Sequence, residues 1–319
     1  MDALKFSVLL VTYNSEWNDI KKTLDSIINQ EFDSFELIIS DDGSKDNKFA
    51  QIEKYMTDNH FDDYKLIEHK ENQGTVKNLI SGLENCSGKY VRDFGPGDMF
   101  YTRNALREIY DFMERKQCDS CFCRLQGFAE ENGNLIKKNY VHPFNINVYK
   151  NKNEKSILKN LILYSDNVSG ASTSYKTKYY LENLKIISEY VIYEEDIFQV
   201  YAALNGNYFE FLDKCLIWYE ASEGISTKKD SPFQKKLALD VEKFFEFITI
   251  KFNDNIYVKK RNKLSKLYKI ENLYLRTIIR FFYDPYAIIY LLKHYISIIK
   301  GDYKNKDNGE YWKNKEGLE

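Results

Sequence analysis

The first 100 residues alternate short apolar runs with amphipathic segments, and this alternation restricts the fold more than any other feature of the chain. Residues 6–11 form a nearly continuous apolar run, which is typical of a strand buried on both faces of a parallel sheet. Apolar residues at helical spacing follow in residues 17–29. Further strands are predicted at 35–39, 65–68 and 89–94, and further helices at 47–60 and 75–85. Single helices between strands imply right-handed crossovers and a mostly parallel α/β sheet.

The middle of the chain has a less regular pattern. A helix at 103–116 and a buried strand at 120–128 are predicted next, and we interpret the polar segment at 129–156 as a long loop. Helices are then expected at 156–164, 178–184 and 194–204, and a strand at 208–219.

The sequence pattern changes near Ser231-Pro232, and from Phe233 it is helical almost throughout. Pro285 is expected to divide the apolar segment Leu273 to Lys300 into two helices. We therefore predict an α/β domain at residues 1–230, a helical region at 231–300 and a polar, disordered tail at 301–319.

Composition indicates a globular protein with a proper core, because 43% of its residues are hydrophobic. A formal net charge of −2 provides no overall field that would attract nucleic acid. We expect a cytoplasmic protein, since neither a signal peptide nor an uncharged segment long enough to cross a bilayer is recognisable. The five cysteines are expected to be reduced, and the group formed by Cys118, Cys121 and Cys123 to be part of a buried strand.

Polar residues follow three of the predicted strands, at the ends where an open parallel sheet binds its ligands. They are Thr12-Tyr13-Asn14, Asp41-Asp42-Gly43-Ser44 and Gly95-Pro96-Gly97-Asp98. A carboxylate such as Asp42 can accept hydrogen bonds from a nucleobase or a ribose, and Asp98 can bind a hard divalent cation. Each motif alone is also an ordinary turn signal, so the order and spacing of the whole set carry the inference.

That set resembles the family 2 glycosyltransferases, which have the GT-A fold, a Rossmann-like and mostly parallel sheet flanked by helices. The opening residues Ser7 to Asn14 are similar to the family's first motif, and Glu36 to Ser44 are similar to its second. Asn72-Gln73-Gly74 and Gly88-Lys89-Tyr90-Val91 resemble the segments that follow. The resemblance is dense over residues 6–100 and thinner to about residue 227.

The resemblance implies an enzyme that binds a nucleotide-diphosphate sugar such as a UDP-sugar. The residues that it places around this donor are Val11, Thr12, Tyr13, Asp41, Asp42, Gly74, Lys77, Asn78, Gly97, Asp98, Ser169, Gly170 and Trp218. Val11, Thr12 and Tyr13 would line the nucleobase pocket, and Asp42 would contact the base. Ser169 and Gly170 would lie beside the sugar. Trp218 could stack on a sugar ring, although buried tryptophan in a core is commoner.

The family's metal-binding Asp-x-Asp-Asp segment aligns with Gly95-Pro96-Gly97-Asp98, of which only Asp98 is acidic. A single carboxylate can still hold Mn²⁺ or Mg²⁺ when diphosphate oxygens and waters complete the shell. We therefore expect a metal at Asp98 that binds weakly without donor.

The candidate general base lies in Tyr193-Glu194-Glu195-Asp196, which resembles the family's Glu-Asp pair at the start of a helix. An inverting transfer needs one carboxylate to take the proton of the acceptor hydroxyl. We assign Asp196 to this role, with Glu195 as its nearest rival. A helix N-terminus lowers the pKa of a carboxylate, so we expect an ionised base.

The resemblance implies an inverting transfer of sugar to a saccharide or lipid-linked acceptor during the synthesis of a bacterial surface polysaccharide. Two alternatives stay open: a catalytically impaired module that binds sugar nucleotides or polysaccharide, and a sugar-nucleotide nucleotidyltransferase. The segment Leu273 to Lys300 either packs on the protein or on another subunit, or lies at a membrane surface. The second case would make the chain peripheral to the inner face of the cell membrane.

Overall fold

The computed structural model describes residues 5–131, 134–140, 142–221, 232–269 and 272–300. Its first part is a regular α/β unit. The strands are β1 (Phe6–Thr12), β2 (Phe35–Asp41), β3 (Tyr64–Glu68) and β4 (Tyr90–Phe94), and the helices are α1 (Trp17–Ile28), α2 (Phe49–Asp58) and α3 (Thr75–Glu84). The four strands are parallel, as the sequence predicted, and their order in the sheet is β3-β2-β1-β4.

The second part extends the same sheet with strands of mixed direction. It comprises β5 (Met99–Phe100), α4 (Ala105–Lys116), β6 (Ser120–Glu131), β7 (Asn134–Lys138), α5 (Ile146–Lys150), α6 (Glu154–Tyr164), β8 (Thr173–Lys176), α7 (Thr177–Ile187), α8 (Phe198–Leu204) and β9 (Glu210–Glu220). From β4 the sheet continues β8-β6-β9-β5, in which β8 is antiparallel to both of its neighbours and β6 is parallel to β9. The C-terminal end of β9 therefore returns to the residues that follow β4, through its pairing with β5.

The central strands are buried on both faces because helices cover both sides of the sheet. Leu9 and Ile38 point to one core, whereas Leu10 and Ile39 point to the other. All four side chains are fully inaccessible to solvent. Successive side chains of a strand face opposite sides, so a strand between two cores must be apolar at nearly every position.

The prediction of a long loop at residues 129–156 is wrong. The segment contains the hairpin strand β7, which pairs antiparallel with β6, and the helix α5. Strand β7 lies off the main path of the sheet and its Ile136 is 38% exposed, so few of its residues need to be apolar. A short edge strand of this kind lacks the apolar run by which strands are recognised.

Four helices follow: α9 (Pro232–Lys251), α10 (Ile256–Ser265), α11 (Leu273–Tyr283) and α12 (Pro285–Lys300). The predicted division at Pro285 is confirmed. Helix α9 buries Phe244 and Ile248 in the same core as Leu9, so the helical region packs on the α/β part. Among the described residues, no helix is long and apolar enough to cross a bilayer. The predicted tail at 301–319 lies outside the described residues.

Candidate active site

The ends of β1 and β2 are joined by a network around Asp41. One oxygen of its carboxylate accepts hydrogen bonds from the hydroxyls of Thr12 and Ser44, each at 2.7 Å, and the other accepts from the backbone N–H of Ser44 at 2.7 Å. The hydroxyl of Ser44 also accepts from the backbone N–H of Asn14 at 2.6 Å. Asp41 therefore fixes the two loops of the predicted nucleobase pocket against each other, while Tyr13 is left 45% exposed at the rim.

The carboxylate of Asp42 accepts hydrogen bonds from the backbone N–H groups of Gln73 at 2.8 Å and Gly74 at 2.9 Å. Burial is the main cause that raises its pKa, although these two bonds oppose the shift. Gly74 has a φ of +92°, and a Cβ there would lie 2.3 Å from the side chain of Ile192. Asp42 thus holds a loop that contacts the segment leading to the candidate base.

Of the two predicted donor residues on α3, one faces solvent and one faces the sheet. Lys77 is exposed. Asn78 is buried, accepts a hydrogen bond from the hydroxyl of Ser40 at 2.6 Å and donates to its carbonyl at 3.1 Å. Asn78 therefore anchors α3 to β2, whereas Lys77 has the freedom to reach a ligand.

Beyond β4 the chain turns through Gly97, which has a φ of +98°, and reaches Asp98, which is only 8% exposed. One oxygen of Asp98 accepts a hydrogen bond from the backbone N–H of Glu220 at 2.9 Å, so the ends of β4 and β9 meet here. Burial raises the pKa of Asp98 to about 7, and the nearby charge of Glu220 adds to that effect. In the described part of the chain, no group of three or more His, Cys, Asp or Glu side chains is arranged to hold a metal ion.

A buried arginine behind this turn was missed by the sequence analysis. The guanidinium of Arg92 donates to the carbonyl of Thr173 at 2.9 Å and to that of Ala171, and it lies 4.5 Å from the ring centre of Phe94. Its positive charge partly offsets the burial of Asp98. Arg92 thereby connects β4 with the loop that carries Ser169 and Gly170.

Asp196 is held by that loop. One oxygen of its carboxylate accepts from the backbone N–H of Gly170 at 2.9 Å, and the other lies 3.4 Å from the amide nitrogen of Gln199. Burial, and then the negative charge of Glu194, raise the pKa of Asp196 to about 8. The expectation that a helix N-terminus would lower this pKa is wrong. The turn Glu195–Ile197 is a short 3₁₀ segment, and burial with a neighbouring acid outweighs its dipole.

Glu195, the rival base, lies in the same turn. Burial and the charge of Asp196 raise its pKa as well. Two acids that repel each other cannot both ionise easily, so the pair titrates together.

A chain of contacts through two tyrosines connects Asp98 with Asp196. The rings of Tyr140 and Tyr219 are 4.3 Å apart, and the hydroxyl of Tyr140 lies 3.3 Å from that of Ser169. Burial raises the pKa of both tyrosines, and the charges of both Asp98 and Asp196 raise them further. Tyr219 directly precedes Glu220, whose N–H donates to Asp98, and Ser169 directly precedes Gly170, whose N–H donates to Asp196. The pair of rings therefore lies between the two carboxylates.

Trp218 lies in the core. It is 3% exposed, its ring stacks on Tyr101 with centroids 4.7 Å apart, and its edge contacts Phe128. This packing favours a structural role over stacking on a sugar, whereas the following Tyr219 packs on Tyr140.

Residues 7–174 match the family model of glycosyl transferase family 2, which is more than half of the chain. The chain belongs to glycosyl transferase family 2. Two curated proteins illustrate the relationship. The bifunctional glycosyltransferase pgtA of Dictyostelium discoideum is 26% identical over 215 residues, which cover 64% of this chain and 27% of that protein. The poly(ribitol-phosphate) beta-N-acetylglucosaminyltransferase TarS of Staphylococcus aureus is 23% identical over 250 residues, which cover 77% and 40%.

A crystal structure of TarS residues 1–349 in complex with UDP-GlcNAc resembles this fold, with a TM-score of 0.51 and 23% identity. The likeness covers 75% of this chain and 66% of that one. The expected GT-A fold is thereby confirmed. The chain spans between about a quarter and two fifths of the length of these two curated relatives.

Proposed function

We propose that this chain transfers a sugar from a nucleotide-diphosphate sugar to an acceptor hydroxyl by a single inverting displacement. The observation that carries the proposal is the convergence of two buried acids from distant parts of the sequence. Asp98 follows β4 and Asp196 precedes α8, yet the contacts of Tyr219 with Tyr140 and of Tyr140 with Ser169 connect the two acids. Asp98 can then act at the diphosphate of the donor, and Asp196 at the acceptor hydroxyl.

The donor would lie across the carboxyl ends of β1, β2 and β4, where open α/β sheets bind their ligands. Thr12 and Asp41 give the nucleobase pocket a rigid floor, and Tyr13 offers an exposed ring at its rim. A UDP-sugar is the favoured donor, because the structural neighbour TarS binds UDP-GlcNAc. Lys77 is exposed on the adjoining helix and can reach a phosphate.

The residues present fit a divalent cation, Mn²⁺ or Mg²⁺, at Asp98. Its carboxylate is buried with a raised pKa, an unfavourable state that a cation would relieve by stabilising the ionised form. The backbone N–H of Glu220 holds it in place, and the charges of Glu220 and Asp93 both act on it. The cation would neutralise the diphosphate leaving group. The described residues contain no group of three or more such ligands, so diphosphate oxygens and waters would complete the shell.

Asp196 would take the proton of the acceptor hydroxyl as that oxygen attacks the anomeric carbon. A general base works best when its pKa lies near the working pH, and a pKa of about 8 meets this requirement better than an ordinary aspartate. The N–H of Gly170 fixes the direction of the carboxylate. Glu195 stays the rival for this role.

The test is a panel of UDP-, GDP- and dTDP-sugars with Mn²⁺, in which release of free nucleoside diphosphate is measured for the native chain and for Asp196→Asn and Glu195→Gln. We expect one donor class to be turned over, and Asp196→Asn to abolish turnover while binding UDP as the native chain does. Full activity of Asp196→Asn would exclude it as the base, and full activity in excess chelator would exclude the metal.

The second candidate is a catalytically impaired module that binds a sugar nucleotide. The observation that favours it is the sequence Gly95-Pro96-Gly97, in which the other acids of the family's metal segment are missing. Donor binding without turnover across the whole panel would support this alternative.

For the acceptor, we propose a saccharide or lipid-linked saccharide of a bacterial surface polysaccharide. The name of TarS describes such transfer to poly(ribitol-phosphate). Helices α11 and α12 carry a row of large exposed apolar side chains, among them Tyr274 (82%), Phe282 (79%) and Ile299 (83%). We propose that this row lies at a membrane surface, on the side where a lipid-linked acceptor would be held.

Flotation with anionic and with neutral vesicles tests this contact for the full chain and for a truncation before Leu273. We expect the full chain alone to float, and more with anionic lipid. No flotation, together with a concentration-dependent dimer that the truncation loses, would assign the row to a subunit interface.

A further inference from the structure

An acid of the C-terminal helical region reaches back to the segment that carries the candidate base. Asp240 lies on α9 and is 2% exposed. A single oxygen of its carboxylate accepts hydrogen bonds from three consecutive backbone N–H groups, those of Ile192 at 3.0 Å, Tyr193 at 2.6 Å and Glu194 at 3.2 Å. These three residues directly precede Glu195 and Asp196, so Asp240 fixes the backbone from which both acids project.

Helix α9 follows this segment along its length. The ring of Phe247 stacks on Tyr190 with centroids 4.2 Å apart, and Phe233 meets the ring of Tyr193 edge-on at 5.2 Å. The ammonium group of Lys236 lies 3.3 Å from the hydroxyl of Tyr193. Aromatic contacts therefore hold the side chains of Tyr190 and Tyr193, and the carboxylate of Asp240 holds the backbone of residues 192–194.

The opposite side of the segment faces the loop of Gln73 and Gly74, which Asp42 holds. The carbonyl of Ile192 accepts from the backbone N–H of Val76 at 3.0 Å, and Gly74 allows the close approach of Ile192. Gly74 in turn donates to Asp42. The segment thus lies between the C-terminal helix and the loop that Asp42 holds, with little room to move.

We propose that Asp240 is a positioning residue for Asp196. Three backbone N–H groups converge on its carboxylate, and a buried N–H without a partner costs more than its hydrogen bond contributes. Replacement by an apolar residue should let the segment shift to find other partners, which would turn Asp196 away from Gly170. The inference rests on the proposed function for its catalytic consequence, but its structural part concerns the backbone of residues 192–194 alone.

Three variants test this proposal: Asp240→Ala removes the acceptor, Asp240→Asn keeps an acceptor oxygen, and Asp284→Ala is the matched control. Asp284 is a buried acid of the same helical region that bonds to Lys260 and Tyr164 and does not contact the segment. The measurements are the rate of nucleoside diphosphate release at saturating donor, the Kd for UDP with Mn²⁺, the Tm, and amide hydrogen exchange of residues 190–198.

We expect Asp240→Ala to lower kcat by about tenfold or more, because moving a reactive group by about 1 Å can lower the rate by that much. The Kd for UDP should change less than about threefold, since that site lies at β1 and β2. Asp240→Asn should recover most of the rate. Asp284→Ala should lower the Tm without a comparable loss of kcat. Exchange protection should fall over residues 192–197 in Asp240→Ala only.

Three outcomes would overturn the inference: an equal loss of kcat in Asp284→Ala, no recovery in Asp240→Asn, or a parallel loss of UDP affinity. Failure of the native chain to release nucleoside diphosphate from any donor would contradict the proposed function instead. The exchange measurement then decides on Asp240 alone, and unchanged protection in Asp240→Ala would refute its role.

Discussion

The buried carboxylate of Asp98 leads to a quantitative prediction about stability. Its pKa is raised from 3.8 to about 7 by burial. Between about pH 4 and pH 7 the native protein therefore keeps a proton that the unfolded chain has lost, so this group lowers the free energy of unfolding as the pH rises. At about 1.4 kcal/mol per pH unit, the cost above pH 7 is up to about 4 kcal/mol.

Asp98→Asn removes this cost and keeps an oxygen that can accept from the N–H of Glu220. Without metal or donor, the variant should be more stable than the native chain at pH 8 by up to about 4 kcal/mol, and nearly equal at pH 4. Urea unfolding in the presence of chelator, followed at several pH values, measures the difference. With Mn²⁺ and UDP the native chain should gain more stability than the variant, because only its site retains the charge.

Glu36→Gln is the control, because its effect should have the opposite sign. Although burial opposes the shift, the hydrogen bonds from the N–H of Ser87 and the hydroxyl of Ser7 lower the pKa of Glu36. It contributes stability above its unfolded pKa, which is lost as the pH falls. Its replacement should therefore destabilise the protein at pH 8 and much less in acid. A gain in Asp98→Asn that did not vary with pH would refute the reasoning.

Three further predictions concern the base. Gly170→Ala should lower kcat by about tenfold or more with UDP affinity intact, because a Cβ would lie 2.7 Å from one oxygen of Asp196. Gly206→Ala, whose Cβ would meet open space at a φ of +83°, should lower stability alone, and equal kinetics in both variants would contradict this. The pH–rate profile at saturating donor should rise with a midpoint near 8, since the base must lose its proton; a midpoint near 4 would exclude the assignment. Glu194→Gln should move that midpoint to lower pH, because the charge of Glu194 raises the pKa of Asp196; an unchanged profile would count against it.

The parallel part of the sheet could be predicted because it depends on local patterns, and the same patterns lead to the candidate site. The apolar run of residues 6–11 identifies a strand between two cores, and the polar residues at the ends of β1, β2 and β4 follow from the rule for parallel sheets. The strand β7 could not be predicted, since an edge strand that is exposed on one side has no such run.

Tertiary contacts decided the rest. Sequence shows that Asp196 lies near a helix start, but it does not show the burial and the neighbouring Glu194 that reverse the direction of its pKa shift. The roles of Arg92 and Asp240 could not be predicted, because their partners are distant in the chain. Arg92 donates to the carbonyl of Thr173, and Asp240 accepts from the N–H of Ile192. A charged residue inside a strand or helix has no local signature that distinguishes a buried anchor from a surface group.

The hydrogen bonds from the 192–194 backbone to α9 also affect how this chain can be recombined with a relative. A chimera that exchanges the helical region could be joined near residue 231, the predicted end of the α/β domain. Such a junction would give the core a foreign helix with no acid opposite those three N–H groups. A functional exchange would have to carry α9 with the core, or supply an aspartate at its matching turn.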